Sequence, residues 1–183
     1  DFELFYRDIG LLGSGFRVTQ KERASAAWGA SHAMYRLRSR WLTGYAGSDG
    51  EIALLGAIGG SQALQWCAED IDYGEWARAL TAISRGCFTP VDLKRQWHRG
   101  FDFFELRCTW DGRERYLYHP STKYLCRAVL HEINRWIEAS GRHFAEIGCS
   151  LNDDPIFACI TGAEAARLHD RGIEVRVPAS WDT

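Results

Sequence analysis

The chain has 183 residues, a formal charge of -2 at neutral pH and a pI near 6.3, with 46% hydrophobic and 13% aromatic residues. That is enough apolar material for one well-buried domain, or two small ones sharing an interface. The near-neutral balance excludes a chain-wide attraction to nucleic acid or to an anionic membrane. No run approaches the roughly 18 apolar residues that a membrane-spanning helix needs, and no signal-peptide pattern is visible.

The cysteines, Cys67, Cys87, Cys108, Cys126, Cys149 and Cys159, are even in number but lie far apart without a CxxC pair. Most sit in apolar patterns, where a free cysteine behaves as a small hydrophobe. Reduced thiols in a cytoplasmic protein are the expectation. The chain begins at Asp1 and its only methionine is Met34, which reads as a processed or trimmed product.

Taken in chain order, "LLGSGF" (11–16) and "GYAGSDG" (44–50) are glycine-rich breaks. Between them, "QKERASAAWGASHAMYRLRSRWL" (20–42) is alanine-rich and predicts a helix, with Trp28, Tyr35 and Leu42 on one stripe. Its end also alternates with period two, which suits a strand carrying Arg36, Arg38 and Arg40 on one face. Residues 51–67 predict a helix weakened at Gly56, Gly59 and Gly60. The stretch 72–86 predicts another, with Trp76, Leu80 and Ile83 at helical spacing and Gly86 as its stop. "TPVDLKRQW" (89–97) reads as a short helix: Thr89 as N-cap, Pro90 at the first position and Asp92 three residues after the cap.

"RCTWDGRERYLYHP" (107–120) predicts two strands, because Asp111-Gly112 is a favoured two-residue hairpin turn. That turn sets the register. Trp110 opposes Arg113, Cys108 opposes Arg115, Leu106 opposes Leu117 and Phe104 opposes His119. On the other face Thr109 meets Glu114, Arg107 meets Tyr116 and Glu105 meets Tyr118. The hairpin reads as scaffold with its arginines solvated near the turn, where Trp110 and Arg113 are placed to stack. Residues 123–139 form the clearest amphipathic helix, with Leu125, Val129, Ile133 and Trp136 in one stripe. "HFAEIGCS" and "PIFACI" then read as strands across the loop "LNDDP". Thr161 with Glu164 is a capping box, and "IEVRV" closes as a strand. The expected fold is α+β: a helix-rich region (1–85) packed with a C-terminal region (86–183) of order ββαββαβ, whose largely antiparallel sheet carries two helices.

Catalytic motifs are scarce. "HEINR" (131–135) departs from the zinc-protease pattern because Arg135 stands where the second histidine is required. There is no GxSxG elbow, Walker loop, dinucleotide fingerprint or deaminase signature. No cofactor is implied. One alternative enzymatic site remains: His143 and Glu146 on a strand beside Asn152, Asp153 and Asp154, a set suited to a divalent ion in a hydrolase or toxin domain. The same Asn/Asp run also suits a plain turn before Pro155.

Charge is distributed unevenly. From Trp41 to Ala77 there is no lysine or arginine, and "WCAEDIDYGEW" (66–76) concentrates acids among aromatics. Trp66, Glu69, Asp70, Asp72, Tyr73 and Glu75 are therefore the candidate contact for a protein partner, rings giving buried area and acids speeding encounter with a basic surface. The same acids also suit helix caps facing water. Arg36, Arg38 and Arg40 are the only nucleic-acid candidate, and three arginines are few for that role.

The segment "GCFTPVDLKRQW…FFELRCTWDGRERYLY…LCRAVLHEINRWI…HFAEIGCSLNDDPIFACITGAEAARLHDRGIEV", residues 86–177, resembles in layout small bacterial proteins that include immunity proteins of toxin–immunity systems. The resemblance implies a non-catalytic cytoplasmic protein that neutralises a cognate toxin by contact. Residues 1–85, including the acidic segment, lie outside it.

Overall fold

The computed structural model describes residues 2–13, 55, 62–66, 72–98, 103–120, 127–149 and 155–178. They form an α+β fold of four helices and two three-stranded antiparallel sheets. The expected helix over 20–42, with Arg36, Arg38 and Arg40, lies outside the described residues, as do Glu69, Asp70, Asn152, Asp153 and Asp154.

One sheet has the order β1 (Ala63–Gln65), β6 (Pro155–Thr161), β5 (Arg142–Cys149). Every residue from Pro155 to Ile160 is buried, because this sheet is covered on both faces. The period-two alternation sorts the side chains between two cores. Ala63, Ala145, Ile147, Ile156, Ala158 and Ile160 face α1 (Phe2–Asp8) and α4 (Gly162–Asp170), where they meet Tyr6, Ile9 and Leu168. Phe144, Phe157 and Cys159 face the other way, towards α2 (Tyr73–Ile83), α3 (Arg127–Ile137) and the second sheet. The regions 1–85 and 86–183 thus both contribute to each core.

The second sheet is β2 (Val91–His98), β3 (Phe103–Trp110) and β4 (Arg113–Pro120). Its hairpin has the register set by Asp111 and Gly112, both at positive φ (51° and 68°), and all seven cross-strand pairs expected from the sequence are present. Leu106 and Leu117 anchor one face in the second core.

Three expectations change. Residues 91–98 are a strand, not the helix that Thr89, Pro90 and Asp92 suggest. Asp92 adopts φ 55° in an irregularity between Val91 and Lys94, after which Arg95 pairs with Leu106 and Trp97 with Phe104. The open edge of β3 outweighs a local capping signal that has little apolar stripe behind it. Residues 63–65, expected to be helical, pair with β6. "IEVRV" supplies a single bridge, with Glu146 and Arg176 exchanging N–H···O bonds of 2.9 and 2.8 Å, so the C-terminal order is βββαββα rather than ββαββαβ.

The capping box is formed as expected: Thr161 Oγ1 accepts from Glu164 N–H at 3.2 Å and Glu164 accepts from Thr161 N–H at 2.8 Å. A second polar contact closes the outer edge of β5. Asn134 on α3 donates to the Phe144 carbonyl at 2.8 Å and accepts from the Phe144 N–H at 2.7 Å, acting as one rung of a missing strand. Asn134→Ala leaves both Phe144 groups without that partner and is expected to cost about 1–2 kcal/mol. Urea unfolding of this variant and of Asn134→Asp checks it. The aspartate loses the donor but keeps an acceptor, and equal stability of all three proteins would contradict the assignment.

Candidate functional site

The aromatic and acidic residues expected at a partner contact separate in three dimensions. Tyr73 is 1% exposed and Trp76 is fully buried, so both rings belong to the second core and neither offers surface to a partner. Trp66 is half-buried against the same core. Asp72 caps α2, accepting from Gly74 N–H (2.8 Å) and Glu75 N–H (3.1 Å), and lies 3.7 Å from Arg95. Among the described acids of this segment, Glu75 is exposed in the first turn of α2.

The alternative enzymatic set is not brought together by its described members. His143 lies on the strand face shared with Ala145 and Ile147, and burial pushes its pKa down, with the Glu164 charge opposing. Glu146 is three residues on and faces the opposite way. It is buried and paired with Arg127 of α3, Nη2 to Oε2 at 3.0 Å. That carboxylate balances a guanidinium beside α3 and is not directed towards His143. Among the described residues, no group of three His, Cys, Asp or Glu side chains is arranged to hold a metal ion.

The surface that does gather recognition-type side chains is the outer face of the β2–β3–β4 sheet. Register places Lys94, Arg107 and Tyr116 in one cross-strand row, Gln96, Glu105 and Tyr118 in the next, and His98 and Phe103 in a third. The rings form a continuous ridge: His98 stacks on Phe103 at 4.7 Å, Phe103 meets Tyr118 edge-on at 5.7 Å, and Tyr118 stacks along Tyr116 at 6.5 Å. Tyr118 is 59% exposed and Tyr116 39%. Both carboxylates on this face meet a basic partner within it. Arg107 lies 3.3 Å from Glu114, His98 lies 3.4 Å from Glu105, and the Tyr116 hydroxyl donates to Glu114, which holds the phenol proton more firmly than usual. Among the described residues, Lys94 and Arg107 against Glu105 and Glu114 sum to zero, so these side chains supply no excess of the cations that phosphate contacts require.

The opposite face is cationic only where it leaves the core. The guanidinium near Trp110 is that of Arg115, not the expected Arg113. It sits 5.7 Å from the ring centres of both Trp110 and Trp136 and is half-buried rather than solvated. At the far end, Arg95 lies 3.8 Å over Phe104, beside Trp97, which is 40% exposed. Through its approach to Asp72, Arg95 joins the sheet to the start of α2.

The aromatic ridge depends on β2, which the capping-like "TPVD" disguised, and its useful signal was the period-two run Lys94–Gln96–His98. An open cleft of about 680 Å³ lies elsewhere, lined by Leu4, Phe5, Arg7, Asp8 and Arg171, and touches none of the expected site residues. Comparison with family models, with curated proteins and with solved structures finds no match. Among the described residues, no helix is long and apolar enough to cross a membrane.

Proposed function

We propose that this chain is a protein-binding module whose contact surface is the outer face of the β2–β3–β4 sheet. The observation that carries the reading is the ridge His98–Phe103–Tyr118–Tyr116, half-buried at His98 and Phe103 and exposed at the two tyrosines, on a sheet held from behind by Leu106 and Leu117. Tyrosine and arginine are the types that anchor protein contacts, and a paired-charge surround gives hydrogen bonding without a strong preference for either sign of partner. The partner in this reading is a folded protein with an apolar centre. The class implied by the resemblance in layout, a toxin neutralised by contact in the cytoplasm, belongs to the same proposal.

The test compares the wild-type chain with Tyr116→Ser/Tyr118→Ser and with a distant control, Glu174→Ser. Each is immobilised and exposed to host lysate, and the captured protein is then purified for titration. A stoichiometric partner held by the wild type and the control, and weakened at least ten-fold by the double variant, supports the proposal. A partner held equally by all three proteins, or none held by the wild type, overturns it. Thermal midpoints of the three proteins should agree within a few degrees, since both tyrosines are surface residues.

A further inference from the structure

Cys87 and Cys159 are 72 residues apart, yet their sulfurs are 3.5 Å from one another. Cys159 projects from β6 into the second core and is fully buried, while Cys87 is half-buried in the turn that follows α2. The turn is tightly specified. Arg85 and Gly86 take successive left-handed conformations at φ 54° and 83°. The hydroxyl of fully buried Ser84 lies 2.8 Å from the Thr81 carbonyl and 3.1 Å from the Phe88 carbonyl, and accepts from Gly86 N–H at 3.2 Å. Cys87 N–H is bonded to the Ser84 carbonyl at 3.2 Å. One sulfur is therefore held at the surface of the core with a second directly behind it.

The surroundings are electropositive. Arg142, at the start of β5, donates to the Cys159 carbonyl at 3.4 Å and to Glu164 at 3.1 Å, and its charge acts on both sulfurs. Arg85 also meets Glu164, at 2.8 Å, so two guanidiniums share one carboxylate beside the thiols. The proton is divided unequally. Either sulfur can donate in their shared contact; with Cys159 as the donor, that hydrogen bond together with Ser140 and Arg142 lowers the Cys87 pKa to about 6 against the opposing effect of burial. Cys159 is pushed far up by the same hydrogen bond and by burial. The Ser84 carbonyl, 3.0 Å from the Cys87 sulfur, accepts the proton of the neutral form.

We infer that Cys87 and Cys159 form a redox-active dithiol site whose substrate is a small hydroperoxide, with Cys87 as the attacking sulfur and Cys159 as the resolving one. The Cys87 thiolate attacks the terminal oxygen of the hydroperoxide. The O–O bond breaks, the alkoxide takes a proton from solvent and leaves as alcohol, and Cys87 becomes a sulfenic acid. Cys159 then attacks the Cys87 sulfur. It gives up its proton, hydroxide leaves as water, and a Cys87–Cys159 disulfide forms: two thiols lose two electrons and the hydroperoxide gains them. A small oxidant suits a half-buried sulfur, and an adjacent cationic group with a resolving thiol is the environment in which thiols react selectively. This chemistry is independent of the binding face proposed above.

The experiment treats the fully reduced chain with one equivalent of hydrogen peroxide, followed by thiol counting and peptide mapping. The expected result is a loss of two of six thiols and a cross-linked peptide joining Cys87 to Cys159. In Cys159→Ala, a dimedone adduct should accumulate on Cys87, and in Cys87→Ala no adduct should form at Cys159. The oxidation rate should rise with a midpoint near pH 6 in the wild type and at higher pH in Ser140→Ala. Oxidation spread evenly over the cysteines, a disulfide between a different pair, or a rate that rises only above pH 8 would overturn the inference. Mapping the wild-type protein decides the matter even if a core variant fails to fold.

Discussion

Trp76→Ala is expected to destabilise the protein by about 3–5 kcal/mol and to lower the thermal midpoint by roughly 10 °C. The indole is fully buried and sits edge-on to Tyr73 at 5.8 Å and to Phe157 at 5.9 Å, so it joins α2 to the central sheet. Truncation removes the largest fully buried side chain from a core bounded by two sheets and two helices, where collapse of the walls is limited. Trp76→Phe is a discriminating companion. The indole N–H has no hydrogen-bond partner among the described residues, so phenylalanine removes a buried unpaired donor while keeping most of the ring contacts. The gain offsets part of the lost area, and the phenylalanine variant should lose less than half of what the alanine variant loses. Denaturant unfolding of both variants measures this. An alanine variant within 1 kcal/mol of wild type would mean that Trp76 does not hold α2 to the sheet.

The burial of Tyr73 and Trp76 illustrates which parts of this molecule were legible in its sequence. Local signals read correctly where one short stretch contains both the cause and the effect. Asp111-Gly112 determines its own hairpin register, Thr161 and Glu164 cap their own helix, and Trp76, Leu80 and Ile83 share a face by spacing alone. Signals failed where the deciding contact is remote. "TPVDLKRQW" carries a helix start, but β3 lies beside it and takes it as a strand. Ala63–Gln65 is a strand because β6, more than ninety residues on, offers an edge. Aromatics next to acids at 66–76 fit an interface or a helix packed on a core equally well, and only the neighbouring sheet decides between them.

The candidate sites follow the same rule. His143 and Glu146 stand three apart, which on a strand already places them on opposite faces; that much was readable from spacing. Which face of the hairpin is covered was not readable, because both mix rings and arginines, and α2 and α3 make the choice. The Cys87–Cys159 contact has no local signature at all, since neither residue has a thiol neighbour in sequence.

Glu164→Ala should cost about 2–3 kcal/mol and change how the remaining stability responds to acid, in opposite directions at mild and at strong acidity. This carboxylate caps α4 and binds Arg85 from the turn after α2 and Arg142 from β5, and Arg85 in turn donates to the Ile9 carbonyl at the end of α1 at 3.1 Å. One side chain thus connects four segments. Gly10, at φ 71°, is part of the same arrangement, because a Cβ there would come within 2.9 Å of the Arg85 guanidinium. Burial alone would raise the Glu164 pKa, but the Thr161 N–H, Arg85 and Arg142 outweigh it and hold the carboxyl below its ordinary range. A depressed carboxylate contributes stability that is complete above its unfolded pKa, about 4.3, and is lost as pH falls through the lower folded value. His143 adds a separate loss at milder acidity. Its folded pKa is lowered, so stability declines as pH drops from its unfolded pKa, about 6.5, through the folded value. Removing the Glu164 charge takes away the attraction that opposes this, and should deepen the decline between pH 6.5 and the folded value while removing the Glu164 share of the strongly acidic limb. Glu164→Gln keeps the shape of the capping group and separates the charge from the cap. Thermal midpoints measured from pH 3 to pH 8 on the three proteins test the assignment. An unchanged acid limb in both variants would show that the arginines find other partners and that Glu164 does not hold these segments together.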